Sequence, residues 1–297
     1  MKTFSWMLAC AMLSPLALDQ ALAMTEHQQD IAAWRASRTE RLTAPDGWLS
    51  LIGLHWLSTG KAQTLGNGDG NDVDLERGPQ RLGTLTWDEG RASFTVADGA
   101  VITVDGEPAT RVDLNPPDER PAPVVRFGSV SFQMLERGGK YALRVKDNDA
   151  PTRTGFTGIP YFDIDPSWRI DARFEAYEEP RTIEIATVVG TLEEYPNPGR
   201  IAFERDGKTH TIEALVEQGT EQYFLIIADR SSGKESYGMA RYLYAGPPVD
   251  GRIVVDFNKA YNPPCAFTAY ATCPMPPAGN RLDLYVAAGE KTYVGPH

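Results

Sequence analysis

The stretch LGTLTWDEGRASFTV (residues 82–96) decides the fold class. Apolar and polar side chains alternate on both sides of Asp88-Glu89-Gly90, a pattern typical of two half-buried strands joined by a tight turn. Further short strands are predicted at residues 101–104, 124–127, 130–135, 141–145, 168–177, 182–189, 201–204, 209–216, 223–228 and 241–244. Short strands with frequent turns favour a sandwich or barrel. We therefore expect an all-β fold, β-sandwich or barrel-like, in two subdomains with one N-terminal helix.

The predicted helix precedes these strands. Thr25 and Gln28 have the spacing of a capping box, which satisfies the free backbone donors at the start of a helix. Ile31, Trp34 and Leu42 then follow at helical spacing, so one face of the helix is expected to dock on the sheets.

A proline-rich segment, NPPDERPAP (residues 115–123), has the composition of a linker. We place a subdomain boundary there. The expected units are residues 24–115, with the helix and a small β subdomain, and residues 124–297, a larger β subdomain.

The first 23 residues are predicted to be a signal peptide. Lys2 supplies the positive charge, residues 4–18 are mostly apolar, and Ala21-Leu22-Ala23 gives the small-x-small cleavage pattern. We expect cleavage near Ala23 and a periplasmic or secreted mature protein. No later apolar run is long enough to span a bilayer.

The composition limits the partners. The chain of 297 residues carries 40 acidic against 29 basic side chains, a net charge of -11, and is 42% hydrophobic. Such a chain is globular rather than disordered. Its acidic balance argues against nucleic acid and against anionic membrane surfaces. A small-molecule ligand is the expected partner.

The segment DFNKAYNPPCAFTAYATCPMPPAGNRLDLYVAAGEK (residues 256–291), which we call the signature loop, is the candidate site. An apolar strand at residues 253–255 leads into it. Its five prolines lie between Asn262 and Asn280 and exclude a helix interior or a central strand there. The chain is expected to return as a strand at residues 282–287. Ordered irregular loops of this length often carry function.

Two cysteines, Cys265 and Cys273, remain once the signal peptide is removed. In an oxidising compartment a disulfide is expected. The alternative is a tetrahedral zinc site in which His55 or Asp256 joins the two thiolates. The spacing of the cysteines is looser than in the common zinc motifs. Apart from this alternative, we expect no cofactor and no metal.

The run DFNKAYNPPCAFTAYATCPMPPAGNRL, followed by AGEK, resembles the signature of the domain of unknown function 1684 (DUF1684) family of bacterial and archaeal proteins. The resemblance extends upstream through GWL (47–49), GLHWL (53–57), RVKD (144–147) and GMARYLY (238–244). Because the family has no assigned activity, the resemblance implies no catalytic role for any residue.

The polar side chains of the signature loop and of neighbouring strands predict one pocket. The catalytic candidates are Asp256, Glu290 and Tyr261. The ligand-binding candidates are Asn258, Asn262, Asn280, Arg144, Arg169, Arg241 and His55. Carboxylates together with arginines and amides suit anionic or glycosidic small molecules.

We therefore expect an exported protein that binds a polar small molecule, with hydrolysis as the reaction if it is an enzyme. Two alternatives stay open, a non-catalytic envelope scaffold that binds another protein and a zinc-binding protein using Cys265 and Cys273. A structural interpretation of the loop also stays open. In it, Asp256 and the asparagines bond backbone groups, and Glu290 pairs with an arginine.

Overall fold

The computed structural model describes residues 24–115 and 121–297. The predicted signal peptide (residues 1–23) and the middle of the predicted linker (residues 116–120) lie outside the described residues. Strands make up 44% and helices 14% of the structure, so the predicted all-β class is confirmed.

The strands form three sheets, and the helices are α1 (Glu26–Thr43) and the four-residue α2 (Pro151–Thr154). The first eleven strands are β1 (Leu51–Trp56), β2 (Gln63–Gly66), β3 (Val73–Asp74), β4 (Gly83–Asp88), β5 (Arg91–Val96), β6 (Ile102–Val104), β7 (Glu107–Ala109), β8 (Arg111–Asp113), β9 (Val125–Phe127), β10 (Val130–Arg137) and β11 (Lys140–Asp147). The remaining six are β12 (Arg169–Ala186), β13 (Leu192–Arg205), β14 (Lys208–Val216), β15 (Tyr223–Ile227), β16 (Arg241–Ala245) and β17 (Arg252–Asp256). Short 3-10 turns lie at Trp48–Ser50, Pro166–Trp168, Phe257–Lys259, Pro264–Ala266 and Ala278–Asn280.

Strands β1 to β11 form an N-terminal sandwich of two sheets. One sheet has the order β3-β2-β4-β5-β8 and the other β1-β11-β10-β9-β6-β7. The predicted hairpin is confirmed as β4 and β5, and its turn places Glu89 and Gly90 at positive φ (47° and 81°). Side chains from both sheets share one core, in which Phe94 packs edge-on against Phe132 at 5.4 Å.

Strands β12 to β17 form a single C-terminal sheet in the order β16-β15-β14-β13-β12-β17, with every neighbouring pair antiparallel. The sequence predicts two strands where the structure has β12 alone, because an irregularity between Ala176 and Arg181 lets one strand continue past Pro180. It also predicts only residues 201–204 of β13. The part of β13 that holds Pro196 and Pro198 pairs with β12 alone, so these prolines leave no ladder partner unsatisfied.

The C-terminal sheet is covered on both faces. Leu225 and Leu243 face a core that contains Leu282, Leu284 and Val286 from the signature loop. The opposite face carries a second core built on Phe224, Ile226 and Tyr242, which Ala271 and Cys273 of the same loop cover. The signature loop therefore wraps around this sheet.

The prediction of a strand at residues 282–287 is wrong, although the predicted alternation of buried and less buried side chains is confirmed. Leu282, Leu284 and Val286 are buried at alternate positions, yet the segment forms no regular ladder. The guanidinium group of Arg241 takes the place of a neighbouring strand, donating to the carbonyl oxygens of Val286 (3.0 Å) and Ala288.

Helix α1 docks on the C-terminal half of the chain. Its predicted capping box is present, with Thr25 and Gln28 bonding each other's backbone. Ile31, Arg38 and Leu42 are buried on one face. In the described part of the chain, no helix is long and apolar enough to cross a membrane.

Candidate functional site

A cleft of about 810 Å3 lies where the N-terminal sandwich meets the C-terminal sheet. Helix α1 and the residues after it form one wall, and β10 and β11 form another. Strands β13, β15 and β16 supply a third wall, and residues 261–274 of the signature loop close the cleft.

One end of the cleft is basic and is built by Arg137, Arg144 and Lys146. The Arg144 guanidinium lies 4.9 Å from the centre of the Trp48 ring, and its Nε is buried with no hydrogen-bond partner among the described residues. Burial lowers the pKa of Arg144 to about 10, and the nearby charge of Arg137 adds to the effect. Burial also lowers the pKa of Lys146, and the Arg144 charge adds to this although Asp46 opposes it. Arg137 pairs with Glu193 and Lys146 donates to the carbonyl oxygen of Asp46, so the unmet donor of this group is Arg144 Nε.

The middle of the cleft is aromatic. Tyr242 and Tyr244 project from the same face of β16, and Phe224 packs on both at 4.9 and 5.2 Å. Tyr261 of the signature loop stacks against Tyr244 at 6.4 Å and lies 6.3 Å from Trp34 of α1. Burial raises the pKa of Tyr261 to about 12, so its hydroxyl stays protonated at neutral pH.

Two carboxylates, Glu193 and Glu217, lie beside these rings. The hydroxyl of Tyr195 donates to Glu193 Oε2 at 3.0 Å, and that of Tyr244 donates to Glu217 Oε2 at 2.5 Å. Burial raises the pKa of Tyr195, and the negative charges of Glu193 and Glu217 raise it further. Glu193 Oε1 lies 3.2 Å from Arg137 Nε, but it is buried and makes no hydrogen bond among the described residues.

The charge of the cleft is opposite to that of the protein. Its charged lining consists of Arg38, Arg41, Arg137, Arg144 and Lys146 against Asp46, Glu193 and Glu217. Five basic and three acidic side chains give the lining a formal charge of +2, of which Arg38 is paired with Glu290 behind the lining, whereas the whole chain carries -11. This reversal concentrates anions at the cleft.

Comparison with known proteins identifies a family for the chain. The family model described as "Protein of unknown function (DUF1684)" matches residues 154–291. The chain belongs to the DUF1684 family. The solution NMR structure of an uncharacterised protein from Haloarcula marismortui is 32% identical, with 46% of this chain and 77% of that chain covered and a TM-score of 0.40. No curated protein matches the chain.

The DUF1684 match starts at residue 154, so it includes the C-terminal sheet and the whole signature loop but not the N-terminal sandwich. Glu193, Tyr195 and Tyr261 fall inside the match. Arg144 and Lys146, which form the basic end of the cleft, lie upstream of it.

Of the site residues predicted from the sequence, Tyr261 and Arg144 line the cleft. The others lie elsewhere, mostly as partners of backbone groups. Asp256 accepts from the Asn258 amide nitrogen (3.1 Å) and side chain (2.9 Å), and its Oδ2 lies 2.6 Å from His27 Nε2. The Asn258 side chain also bonds the backbone of Asp165 in both directions.

Glu290 and Asn262 form one fully buried cluster with Arg38 of α1. Arg38 Nε donates to Glu290 Oε1 at 3.0 Å, and the Asn262 amide nitrogen donates to Glu290 Oε2 at 2.7 Å. The Asn262 side chain donates to the Lys291 carbonyl oxygen at 2.8 Å. Asn280, also fully buried, bonds both backbone groups of Glu213. This is the arrangement that the structural interpretation of the loop expects.

The remaining predicted ligand-binding residues also lie outside the cleft lining. Arg241 is buried and pairs with Asp229 at 2.9 Å. Arg169 is exposed at the start of β12, opposite Asp256 in the sheet register. His55 lies on β1, and burial lowers its pKa although Glu76 and Asp74 oppose that shift.

Cys265 and Cys273 are positioned as a disulfide, with Cα atoms 6.2 Å apart, and Cys273 borders the cleft. Among the described residues, no group of three His, Cys, Asp or Glu side chains is gathered as a metal site. The zinc alternative stays a prediction that a thiol count with metal analysis tests.

Most of the cleft residues were not predicted from the sequence. The alternation of side chains along two strands could have indicated some of them. Arg144 and Lys146 on β11, and Tyr242 and Tyr244 on β16, are two residues apart, so each pair shares a face of its strand. The sequence does not reveal that these two faces meet, because β11 and β16 belong to different sheets.

Proposed function

We propose that this protein is an exported binding protein that holds an anionic small molecule in the cleft between the N-terminal sandwich and the C-terminal sheet. The observation that carries the proposal is Arg144, whose buried Nε has no acceptor in residues 24–115 and 121–297, while Arg137 and Lys146 lie close by. A buried donor without a partner destabilises the folded state. The presence of such a donor in the cleft therefore favours a bound ligand as its acceptor.

The size and surface of the cleft support a ligand with an apolar face. A volume of about 810 Å3 is within the range of small-molecule sites. Trp34, Tyr244 and Tyr261 offer rings against which a flat or cyclic ligand packs. A carboxylate, phosphate or sulfonate on such a ligand would accept charge-assisted bonds from Arg144.

The export part of the proposal rests on the sequence of residues 1–23. Hydrolysis of the ligand stays a prediction for which Tyr261 is the one catalytic candidate that borders the cleft.

The test is calorimetric titration with cyclohexanecarboxylate and with its neutral amide. We expect the acid to bind the native protein and the amide to bind at least about tenfold more weakly, since a charge-assisted bond is lost. Arg144→Gln should lower the affinity for the acid by a similar factor. Arg169→Gln is the matched control, because Arg169 is exposed and outside the cleft lining, and it should leave the affinity unchanged.

Equal binding of acid and amide, or an equal effect of both substitutions, would contradict the proposal. If no acid binds at all, the non-catalytic scaffold alternative gains.

A further inference from the structure

A second buried polar atom of the cleft, Glu193 Oε1, pairs with Arg137 but accepts no hydrogen bond among the described residues, and its chemistry is opposite to that of Arg144 Nε. Glu193 Oε1 is an acceptor that lies 3.2 Å from Arg137 Nε without forming a hydrogen bond among the described residues. An anion satisfies Arg144 but cannot satisfy Glu193. A ligand that completes the site must therefore bring hydrogen-bond donors as well as negative charge.

The neighbouring tyrosines cannot supply those donors. The hydroxyl proton of Tyr195 is given to Glu193 Oε2, that of Tyr244 to Glu217 Oε2, and that of Tyr242 to the Pro274 carbonyl oxygen. The oxygens of Tyr195 and Tyr242 keep capacity to accept a bond, whereas the Tyr244 hydroxyl also bonds that of Tyr261. The surroundings of Glu193 and Glu217 thus present mainly acceptors, with Arg137 beside Glu193.

Ammonium and hydroxyl groups are both donors, and the charge balance favours hydroxyls. Glu193 already has Arg137 beside it, and the charged lining is +2 in total. An ammonium group would enter a region of net positive charge and next to Arg137. A hydroxyl donates to a carboxylate without that penalty.

We infer that the ligand is a polyhydroxylated cyclic acid of the sugar-acid class, with its carboxylate at Arg144 and its ring hydroxyls donating to Glu193 and Glu217. The inference rests on the proposed function. The rings of Tyr244 and Tyr261, stacked at 6.4 Å, suit the apolar C–H face that a sugar ring presents. Positive charge at Arg144 selects the acid, and the acceptor groups of Glu193 and Glu217 select the hydroxyls.

Three probes of similar size separate the two requirements. D-Glucuronate has both the charge and the hydroxyls, cyclohexanecarboxylate has only the charge, and D-glucose has only the hydroxyls. In calorimetric titrations of the native protein we expect glucuronate to bind at least about tenfold more tightly than either of the others, as one charge-assisted hydrogen bond implies.

A substitution at Glu193 then tests whether this residue accepts hydrogen bonds from the ligand hydroxyls. Glu193→Gln should weaken glucuronate binding about tenfold and leave cyclohexanecarboxylate binding within about twofold. Glu184→Gln is the control, since Glu184 is exposed on β12 and outside the cleft lining. If Glu193→Gln melts at a much lower temperature than the native protein, Glu217→Gln is used instead. The comparison of the three probes is made on the native protein and does not depend on either variant.

Failure of the inference and failure of the proposed function give different results. Equal affinity for glucuronate and cyclohexanecarboxylate overturns the sugar-acid inference and leaves the anion site standing. Binding of glucose as tight as that of glucuronate, or no binding of either acid, overturns the proposed function as well.

Discussion

The ion pair between Arg38 and Glu290 joins helix α1 to the signature loop with almost no exposure to solvent. The two side chains are 8% and 0% exposed, and the guanidinium also lies 4.7 Å from the ring of Tyr261. Because charges of this kind are costly to bury alone, each depends on the other. The pair therefore fixes both the helix and the aromatic wall of the cleft.

We predict that Arg38→Met lowers the free energy of unfolding by about 3–5 kcal/mol, because Glu290 is left as a buried charge without its cation. Urea denaturation followed by circular dichroism measures this. Arg41→Met, an exposed position on the same helix, is the control and should change the stability by less than about 0.5 kcal/mol. Equal effects of the two substitutions would show that the buried pair does not hold the helix.

His55 gives a prediction about pH. Burial lowers its pKa below the ordinary value of 6.5, so the unfolded chain takes up a proton at a higher pH than the folded protein does. Its contribution to stability is present above about pH 6.5 and is lost as the pH falls from there through the lowered pKa of the folded state.

The melting temperature should therefore drop between pH 7.5 and pH 5.0, and by less in His55→Gln than in the native protein. His297→Gln, at an exposed position, is the control and should keep the native pH dependence. An unchanged pH dependence in His55→Gln would contradict the assigned effect of burial.

At the residue scale, the sequence predicts the class of side chain better than its role. Glu290 and Asn262 were selected as polar residues in an ordered loop, and both are buried, but in bonds to the protein itself. Composition and spacing cannot separate a carboxylate that binds a ligand from one that binds Arg38, because the partner is 252 residues away in the chain.

At the scale of elements, Arg241 acts as the partner strand for residues 286–288, whereas the backbone of Ala228 and Arg230 bonds Leu282 and Leu284. Its guanidinium donates to Val286 and Ala288, and Asp229, which pairs with it, accepts from the Val286 amide nitrogen at 2.8 Å. A side-chain pair thus satisfies backbone groups that would otherwise lack a ladder.

We predict that Arg241→Met increases hydrogen exchange at the amides of residues 286–288 by at least about tenfold, because their buried backbone groups lose Arg241 as a partner and Asp229 loses the cation that holds it. Mass spectrometry of exchanged peptides measures this. Arg252→Met, which removes an exposed arginine that pairs with Asp171 outside this segment, should leave the exchange of the segment close to native. Protection that survives Arg241→Met would mean that apolar burial alone holds the segment.

The elements predicted correctly are those with a local signal. The hairpin of β4 and β5 is set by alternation and by the turn at Glu89-Gly90, both visible over 15 residues of sequence. The N-terminal part of β13 was missed because Pro196 and Pro198 argue against a strand, and only the sheet order shows that this part pairs with β12 and not with β14. Long-range pairing is what the sequence does not show.

At the scale of the whole molecule, a cleft of charge +2 lies in a chain of charge -11. We predict that glucuronate binds several-fold more weakly in 1 M than in 0.1 M NaCl, because the screening length falls from about 10 Å to about 3 Å. Calorimetric titration at the two salt concentrations measures this. Affinity that does not change with salt would show that charge does not attract the ligand.

The central claim is that Arg144 is the anion-binding group of a cleft that both halves of the protein build. The most direct measurement is the side-chain Nε–H signal of Arg144 in a 1H–15N NMR spectrum, assigned by its loss in Arg144→Gln, during titration with glucuronate. We predict that this signal moves on titration, because the Nε–H gains an acceptor, while the signal lost in Arg169→Gln stays in place. An Arg144 signal that does not respond at saturating glucuronate would contradict the account.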